Sequence, residues 1–349
     1  MTSWIFLVIF LVFLLSFIGT GLVRRYALNK EILDIPNARS SHHHPTPRGG
    51  GLAIAVLFLT TVALFALAGL VPLRLALALC GGGLLVAGIG WIDDCFRLQA
   101  SLRAMVHLLA ALWSLYWLGG LPGLNFGIIK IPMGAVGSVL AAIGIVWLIN
   151  LYNFMDGIDG IASSEAVIVG LIGGALELAL GMPALAVVSW LLASASAGFL
   201  LWNWPPAKIF MGDVGSGLLG FAFAVLAIAS ENSGALPLLV WLILLGVFIV
   251  DATATLLRRI SRGERWTEAH RTHAYQLAVQ AGYSHKQVTM AVIAVNVALG
   301  SAALIAFLLP KFLLLITALV ALALIVLRAE VVRHWTHYLP PSLSRHNDI

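Results

Sequence analysis

The chain has 349 residues, of which 61% are hydrophobic and only 10% are charged, and its mean hydropathy is +1.01. A soluble domain carries about 25% charged residues, so this composition excludes a soluble protein and indicates a polytopic membrane protein. The net charge of +5 does not indicate a nucleic-acid partner, because the positive charges follow the loops between apolar segments. Cys80 and Cys95 form neither a disulfide framework nor a metal-binding spacing.

The apolar segments predict an all-α protein with about eleven transmembrane helices in one domain that spans 1–349. The first segment lacks a basic start and a small-residue cleavage site, so it is interpreted as a retained span. No internal repeat or low-complexity tract is apparent. The predicted spans lie near 3–23, 51–71, 73–91, 104–120, 135–152, 160–180, 184–202, 214–230, 236–257, 288–309 and 311–328.

The charges predict the orientation of these spans. Of the 20 Lys and Arg residues, only Arg74, Lys130 and Lys311 fall on one side of the predicted bundle. The positive-inside rule therefore places the other side in the cytoplasm, with the N-terminus outside and the C-terminus inside. The predicted catalytic loops on the cytoplasmic side lie near 24–50, 92–103, 150–160, 203–216 and 258–287.

The first of these loops contains SSHHHPTPRGGG at 40–51. Pro45 and Pro47 favour an extended path, and the glycines permit close approach of another segment or a ligand. Arg48 is a candidate phosphate contact. A basic loop that touches anionic lipid headgroups is the alternative, and the roles of His42, His43 and His44 stay open.

The third span ends in GWIDDCFRL at 90–98. The neighbouring carboxylates of Asp93 and Asp94 repel each other unless a cation or a proton lies between them. A pair of hard oxygen ligands suits Mg²⁺, which also binds substrate phosphates. Acidic pairs are common in loops, so this pair alone does not define a site.

The most informative segment is WLINLYNFMDGIDG at 147–160. Acidic side chains at membrane depth are costly and indicate a functional site. The spacing of three residues turns successive polar side chains by about 60° around a helix, so they do not share one face. A helix end that unwinds into a polar cavity is therefore predicted. The polar residues are Asn150, Asn153, Asp156 and Asp159.

The segment FMGDVGSG at 210–217 places Asp213 within a glycine turn directly before a span. Backbone N–H groups of such a turn can bind phosphate while the carboxylate holds a metal. A simple helix N-cap by Asp213 or Ser216 is the alternative.

The last loop contains EAHRTHAYQ at 268–276. His270, Arg271 and His273 are candidates to bind a pyrophosphate group, because arginine suits phosphate recognition. Zinc binding by the two histidines lacks further ligands, and a solvated basic loop is the alternative. Asp251 is predicted to pair with a loop arginine or to act directly. Six acids lie at the cytoplasmic helix ends and are expected to share one site: Asp93, Asp94, Asp156, Asp159, Asp213 and Asp251.

These motifs, in this order, resemble the polyprenyl-phosphate N-acetylhexosamine-1-phosphate transferases over about residues 20–290: HPTPRGGG, DD, NxxNFMDGIDG, FMGDVGSG and HRTHAYQ. Within the family the chain is most similar to the Pseudomonas-type transferases that initiate O-antigen synthesis. It differs from the phospho-MurNAc-pentapeptide transferases, which usually carry three consecutive histidines where this chain has His270-Arg-Thr-His273 and lysine where it has Arg97.

The resemblance implies transfer of a sugar 1-phosphate from a UDP-N-acetylaminosugar to undecaprenyl phosphate, with release of UMP. It implies Mg²⁺, for which Mn²⁺ can substitute, and a bacterial inner-membrane enzyme in contact with membrane lipid. A homodimer is an expectation. The resemblance implies that Asp213 binds the metal and that Phe210 and Gly212 flank the uridine. It implies that Asp93 and Asp94 lie at the lipid phosphate, that Asp156 and Asp159 complete the acidic centre, and that His270 lies at the donor diphosphate. Six further residues are predicted to bind substrate: Asn150, Asn153, Arg48, Arg97, Arg271 and His273.

Two chemical routes and three other classes stay open. A phosphate monoester is largely ionised near pH 7, with a second pKa of about 6, so direct attack by the lipid phosphate is favoured over a phospho-enzyme. A phospho-MurNAc-pentapeptide transferase or another envelope-glycan enzyme is the nearest alternative. A CDP-alcohol phosphotransferase would cluster its acids in one signature, and a secondary transporter would show repeats and midplane acids.

Overall fold

The computed structural model describes residues 3–36, 44–96, 98–264 and 271–336. Arg97, His270, His42 and His43 lie outside the described residues. Within these ranges the chain is helical apart from loops and two short antiparallel pairs, as the sequence predicts. The helices are α1 (Ser3–Asn29), α2 (Gly51–Leu67), α3 (Leu73–Phe96), α4 (Ala100–Leu118), α5 (Gly134–Met155), α6 (Ile161–Ala179), α7 (Pro183–Asn203), α8 (Asp213–Ser233), α9 (Leu238–Leu244), α10 (Gly246–Ser261), α11 (Ala274–Gln280), α12 (His285–Leu308) and α13 (Leu313–Thr336). The strand pairs are β1 (Leu33–Asp34) with β2 (Thr46–Pro47), and β3 (Gly123–Asn125) with β4 (Lys130–Pro132).

Each of the eleven predicted spans corresponds to helix. Nine segments within the described ranges are long and apolar enough to cross a membrane, and the bent pair α9–α10 adds a tenth. Helix α2 is apolar but has only 17 residues. The all-α membrane architecture is therefore confirmed, whereas the count of eleven spans and the outward N-terminus remain predictions.

The ninth span differs from the continuous helix expected at 236–257. Helices α9 and α10 meet at an angle of 81°. Gly246 lies at this break, where glycine weakens helix. A methyl group there would lie 2.8 Å from Leu324 Cδ1, so the missing side chain lets α13 approach the bend closely.

Helix α8 forms the centre of the bundle. In its most apolar stretch of 18 residues 94% of the residues are buried, whereas in that of α13 only 11% are buried. Neighbouring backbones touch its first turns: a methyl group at Gly90 of α3 would lie 2.6 Å from the Asp213 carbonyl oxygen, and one at Gly51 of α2 would lie 2.3 Å from Gly215 Cα. Such contacts between small residues are a common way to pack membrane helices closely, and they fix the start of α8.

Helix α5 ends where the sequence predicts unwinding. Its last residue is Met155, and the chain then passes through an irregular turn at 156–160 before α6. Gly160 has φ +77°, a conformation that glycine adopts without strain. This turn carries Asp156 and Asp159 at the end of the bundle where α3 also ends and α8 begins.

Candidate active site

Four acidic side chains from three helix ends form a carboxylate cluster: Asp93 and Asp94 at the end of α3, Asp156 after α5, and Asp213 at the start of α8. Asp156 keeps part of its surface exposed. Burial, followed by the charges of Asp213, Asp94 and Asp159, raises its pKa well above the ordinary value. The cluster therefore concentrates negative charge, and a cation nearby would stabilise it.

Arg103 bridges two members of the cluster and was not singled out from the sequence. Its Nη1 atom lies 2.8 Å from Asp93 Oδ2 and 2.8 Å from Asp213 Oδ2. Arg103 belongs to the first turn of α4, one residue before the predicted start of that span, where a basic residue resembles an ordinary loop charge. The two carboxylates therefore approach each other across a guanidinium group.

Asp94 acts as an anchor for helix α8. Its Oδ1 atom accepts the Asp213 N–H at 3.1 Å, and its Oδ2 atom accepts the Val214 N–H at 3.2 Å. The side chain has no exposed surface. Because both oxygens are engaged and buried, Asp94 positions Asp213 and does not reach a substrate in this conformation.

Arg48 also makes positioning contacts, and its predicted phosphate contact stays a prediction. Its guanidinium donates to the Asp93 carbonyl oxygen at 3.0 Å and to the Asp94 carbonyl oxygen at 2.9 Å and 2.6 Å. Arginine often binds the last carbonyl groups of a helix in this way. The remaining side-chain exposure is 22%, so Arg48 holds the end of α3 with only part of its surface open to solvent.

The glycine-rich loop and the segment before α8 are joined by backbone hydrogen bonds. The Phe210 N–H donates to the Pro47 carbonyl oxygen at 2.8 Å. The Gly50 N–H donates to the Phe210 carbonyl oxygen at 2.9 Å, and the Gly51 N–H donates to the Met211 carbonyl oxygen at 2.8 Å. The close approach predicted for these glycines is therefore observed. The partner is another part of the same chain.

Gly212 is the N-cap residue of α8, with φ +76° and ψ 172°, a backbone conformation that is essentially restricted to glycine. A methyl group at this position would lie 2.4 Å from Asp94 Oδ2. No side chain caps the helix locally, so the alternative of an N-cap by Asp213 or Ser216 is wrong. Asp213 is instead the first helical residue, and its side chain is 27% exposed.

The two predicted asparagines have different surroundings. Asn153 Nδ2 donates to Asp213 Oδ1 at 2.8 Å and to Ser216 Oγ at 3.1 Å. Asn150 Nδ2 donates to the Val146 carbonyl of its own helix at 2.7 Å. The structure therefore brings Asn153 into the cluster, whereas the Asn150 side chain binds a carbonyl of its own helix α5.

Asp159 connects the turn after α5 to two other segments. Its Oδ2 atom accepts the Ala207 N–H at 3.0 Å, and its Oδ1 atom lies 3.1 Å from His285 Nδ1. The Thr289 hydroxyl donates to the Asp159 carbonyl at 2.8 Å. His285, at the start of α12, has no motif that would have identified it. Asp159 influences the cluster through its charge on Asp156, while its oxygens hold the fold.

The late loop contributes a buried histidine. The His273 side chain is in the protein interior, with 3% of the residue exposed, and its ring stacks between Phe154 and Tyr275 with centroid distances of 6.3 and 5.8 Å. Burial and the charges of Arg328, Arg259 and Arg258 lower the pKa of His273 to about 3. A neutral, buried ring does not meet the prediction of a substrate contact in this conformation.

Arg271 and Asp251 are the other residues of this region that the sequence singles out. The Arg271 carbonyl accepts the Gln280 Nε2 group at 2.8 Å, which fixes its backbone beside α11. Asp251 pairs with Arg328 of α13 at 3.0 Å. Among the described residues this ion pair is made by an arginine of the last membrane helix, whereas the sequence predicts a loop arginine as the partner.

The donor set fits a magnesium ion. Among the described residues, no group of three His, Cys, Asp or Glu side chains is arranged as a complete metal shell. Magnesium commonly binds to one or two carboxylates together with water and substrate phosphates. Asp213 and Asp156 supply hard oxygen atoms that are partly open to solvent, and the cluster holds more carboxylates than arginines.

Comparison with known proteins identifies the family. Residues 76–231 match the model of Glycosyl transferase family 4. The chain is 30% identical over 313 residues to the decaprenyl-phosphate N-acetylglucosaminephosphotransferase of Mycobacterium leprae, covering 79% of this chain and 77% of that protein. It is 28% identical over 295 residues to a probable undecaprenyl-phosphate N-acetylglucosaminyl 1-phosphate transferase of Bacillus subtilis (82% of this chain, 80% of that protein). It is 32% identical over 237 residues to the phospho-N-acetylmuramoyl-pentapeptide-transferase of Moorella thermoacetica (62% and 70%). The sequence motifs lie at the helix ends that form the carboxylate cluster. On these relatives and motifs, the chain belongs to glycosyl transferase family 4 and is a polyprenyl-phosphate hexosamine-1-phosphate transferase.

Proposed function

We propose that this enzyme transfers an N-acetylaminosugar 1-phosphate from a UDP-sugar to undecaprenyl phosphate, releases UMP, and thereby initiates an O-antigen-type glycan. The observation that carries the proposal is the carboxylate cluster, in which Asp93 and Asp213 share Arg103 beside the glycine turn at Gly212. The names of the Mycobacterium and Bacillus relatives support the acceptor and the general reaction. The UDP donor and the O-antigen role rest on the sequence motifs.

We assign two different roles to the acids. Asp94 and Asp159 use their oxygens on backbone or histidine groups, so they position the site. Asp213 is 27% exposed and Asp156 keeps part of its surface open, whereas the side chains of Asp93 and Asp159 are only 12% and 11% exposed. We assign Asp213 and Asp156 to direct contact with substrate or metal, and Asp93 to holding Arg103 beside them.

Transfer between two phosphates requires cations and alignment, because donor and acceptor repel each other. We assign Mg²⁺ to Asp213 and Asp156; when bound, it would neutralise charge on the donor diphosphate. Arg103 provides a fixed positive charge between Asp93 and Asp213. Asn153 holds the Asp213 carboxylate in place through Oδ1.

In the proposed step, an oxygen of the lipid phosphate forms a bond to the β-phosphorus of the donor. The bond between that phosphorus and the bridging oxygen to the α-phosphate breaks, and UMP leaves with the electron pair. A phosphate monoester is already largely ionised near pH 7, so no strong base is needed. This agrees with the cluster, where Asp94 is sealed from substrate and Asp93 already binds Arg103 and the Leu98 N–H.

A donor panel tests the function. Purified protein is incubated with Mg²⁺, undecaprenyl phosphate and one UDP-N-acetylaminosugar at a time, and UMP and lipid-linked sugar are measured. UMP formation that requires both the lipid phosphate and a particular donor is the expected result. Absence of UMP with every donor, including a UDP-MurNAc-pentapeptide, would remove the proposed reaction and favour the transporter alternative.

The choice of route has its own measurement. A donor labelled in the β-phosphate is mixed with protein from which undecaprenyl phosphate has been strictly removed. Direct attack predicts no UMP release and no label on the protein. Stoichiometric UMP release with label retained on the denatured chain would instead identify a phospho-enzyme.

We further propose an inner-membrane location with the carboxylate cluster facing the cytoplasm. The distribution of Lys and Arg supports this orientation. In a variant without Cys80 and Cys95, a cysteine at Ser233 should react with an impermeant reagent in cells whose outer membrane has been opened, whereas a cysteine at Ser284 should not. The reverse labelling would overturn the orientation.

A further inference from the structure

A second buried carboxylate, outside the carboxylate cluster, holds the start of helix α11. Asp251 of α10 is 5% exposed, and its two oxygens lie 3.0 and 2.9 Å from the Ala274 N–H. Arg328 of α13 donates from Nε to Asp251 at 3.0 Å and from Nη2 to the Thr255 hydroxyl at 2.7 Å. The last membrane helix is therefore tied to the beginning of α11.

Helix α11 in turn contacts the turn that carries Asp156. The Tyr275 hydroxyl donates to the Phe154 carbonyl at 2.8 Å. A methyl group at Gly157 would lie 2.1 Å from the same hydroxyl oxygen, so Tyr275 lies directly against this turn. A continuous path of contacts leads from α13 to the carboxylate cluster.

A cavity lies beside this path. It has a volume of about 400 Å³ and is lined by α10, α11, α12 and α13, with Asp251, Tyr275 and Arg328 in its wall and mainly apolar side chains elsewhere. Close packing is incomplete at this level of the bundle. The Asp251–Arg328 ion pair therefore contributes more to the positions of α13 and α11 relative to each other than it would in a close-packed core.

We propose that Arg328 and Asp251 are positioning residues that set the location of Asp156 through Ala274 and Tyr275. The last membrane helix thereby controls the shape of the catalytic turn, although it contributes no residue to the carboxylate cluster. The inference rests on the proposed function only in that Asp156 acts in the transfer.

The physics of buried ion pairs provides a specific signature. Removal of one partner leaves an uncompensated buried charge, which is more damaging than removal of both charges. Arg328→Met should therefore be worse than the double variant Asp251→Asn/Arg328→Met. The asparagine of the double variant still offers one oxygen to the Ala274 N–H.

Kinetics measure the effect on the site. We expect kcat to fall at least about tenfold in Arg328→Met and to recover at least about threefold in the double variant, while Arg328→Lys lies between wild type and Arg328→Met. The matched control is Arg333→Met on the same helix, whose side chain is 75% exposed. The control should stay within about twofold of wild type.

Hydrogen exchange by mass spectrometry tests the path without relying on activity. In Arg328→Met, peptides covering 271–280 and 152–160 should exchange at least about tenfold faster, with partial return in the double variant. If the wild-type protein makes no UMP with any donor, the proposed function fails. The exchange data still test whether the Arg328–Asp251 pair positions the turn that carries Asp156. Should Arg328→Met not accumulate, Tyr275→Phe removes the hydroxyl that binds the Phe154 carbonyl and lies against Gly157, and it should accelerate exchange in 152–160.

Two results would overturn the proposal. In the first, Arg328→Met matches Arg333→Met in both kcat and exchange. In the second, activity is lost only in proportion to folded protein, exchange rises uniformly along the chain, and the double variant is no better than the single one.

Discussion

Asp94 and Asp251 use the same chemistry at two places with different consequences. Each is a buried carboxylate at the start of a helix from another part of the chain, and each lies beside an arginine. Asp94 accepts two backbone N–H groups there, whereas Asp251 accepts one with both of its oxygens. Asp94 holds α8, whose start is also packed against the backbones of α2 and α3. Asp251 holds α11 beside a cavity. The first anchor is supported by close packing on several sides, whereas the second depends mainly on its ion pair.

The largest loss of turnover is expected for Asp213→Asn. This loss is the reference with which the effects of substituting Asp94 and Asp251 are compared. The substitution removes the charge that we assign to the metal, while the amide can still pack beside Asn153. Turnover should fall at least about 1,000-fold, corresponding to about 4 kcal/mol of lost transition-state stabilisation. Single-turnover rates across a Mg²⁺ titration are the measurement. A rate close to wild type at ordinary Mg²⁺ would exclude Asp213 from the metal site.

Asp94→Asn should have the next largest effect. An amide offers only one acceptor to two N–H groups, so the start of α8 loses one charge-assisted bond worth about 2 kcal/mol. We expect activity to fall by roughly 30-fold with an unchanged Mg²⁺ midpoint, because the metal residues remain. A large shift of the Mg²⁺ midpoint would instead mean that Asp94 itself contacts the metal, and the comparison with Asp251 would break down.

Gly212→Ala tests how strictly the Asp94 anchor depends on its turn. An alanine would be strained at φ +76° and would place its methyl group 2.4 Å from Asp94 Oδ2. The combined cost is about 2–4 kcal/mol, and both thermal stability in detergent and activity should decrease. Gly134→Ala is the matched control, because Gly134 also has a positive φ of +54° and a methyl group there meets nothing within 4 Å. Equal losses in both variants would show that backbone strain alone is responsible.

The smallest effect is expected at His273, beside the Asp251 anchor. Its pKa is about 3 in the folded protein and about 6.5 in an unfolded chain, so below about pH 6.5 the unfolded chain binds a proton that the folded protein does not. This contribution reduces stability as the pH falls from 6.5 toward 3. His273→Phe, which keeps a ring between Phe154 and Tyr275, should show a smaller loss of thermal stability between about pH 7.5 and pH 5.5. An identical pH dependence in both proteins would contradict the assignment.

Much of the fold follows directly from the sequence, because hydropathy alone decides which segments cross a membrane. The sequence predicts that six acids share one site, and Asp93, Asp94, Asp156 and Asp213 do meet, since alternating spans bring these helix ends to one side. Asp251 does not join them, because its carboxylate binds Ala274 and Arg328. Hydropathy does not predict the bend between α9 and α10, where Gly246 lies and α13 approaches closely.

Residue roles were harder to predict than residue locations. Asp93 and Asp94 are adjacent in sequence, yet their different contacts depend on which backbone N–H groups lie within hydrogen-bonding distance of each carboxylate. Arg103 and Arg328 reach their partners from neighbouring helices with long side chains, and sequence spacing does not encode that reach. His273 belongs to a predicted binding motif but stacks between rings of two elements, a contact that only the tertiary structure creates.

The backbone contacts of Gly51 and Gly90 with the first turn of α8 have a consequence for binding. Parts of a protein that are mobile before a ligand arrives must lose conformational entropy when they become ordered, and this loss weakens affinity. Asp213 is carried by a backbone that already touches two neighbouring helices without intervening side chains, so little ordering remains to be done there. The site is preorganised at Asp213, the residue that we assign to the metal, and variation in affinity between donors should arise from the donor and the surrounding loops.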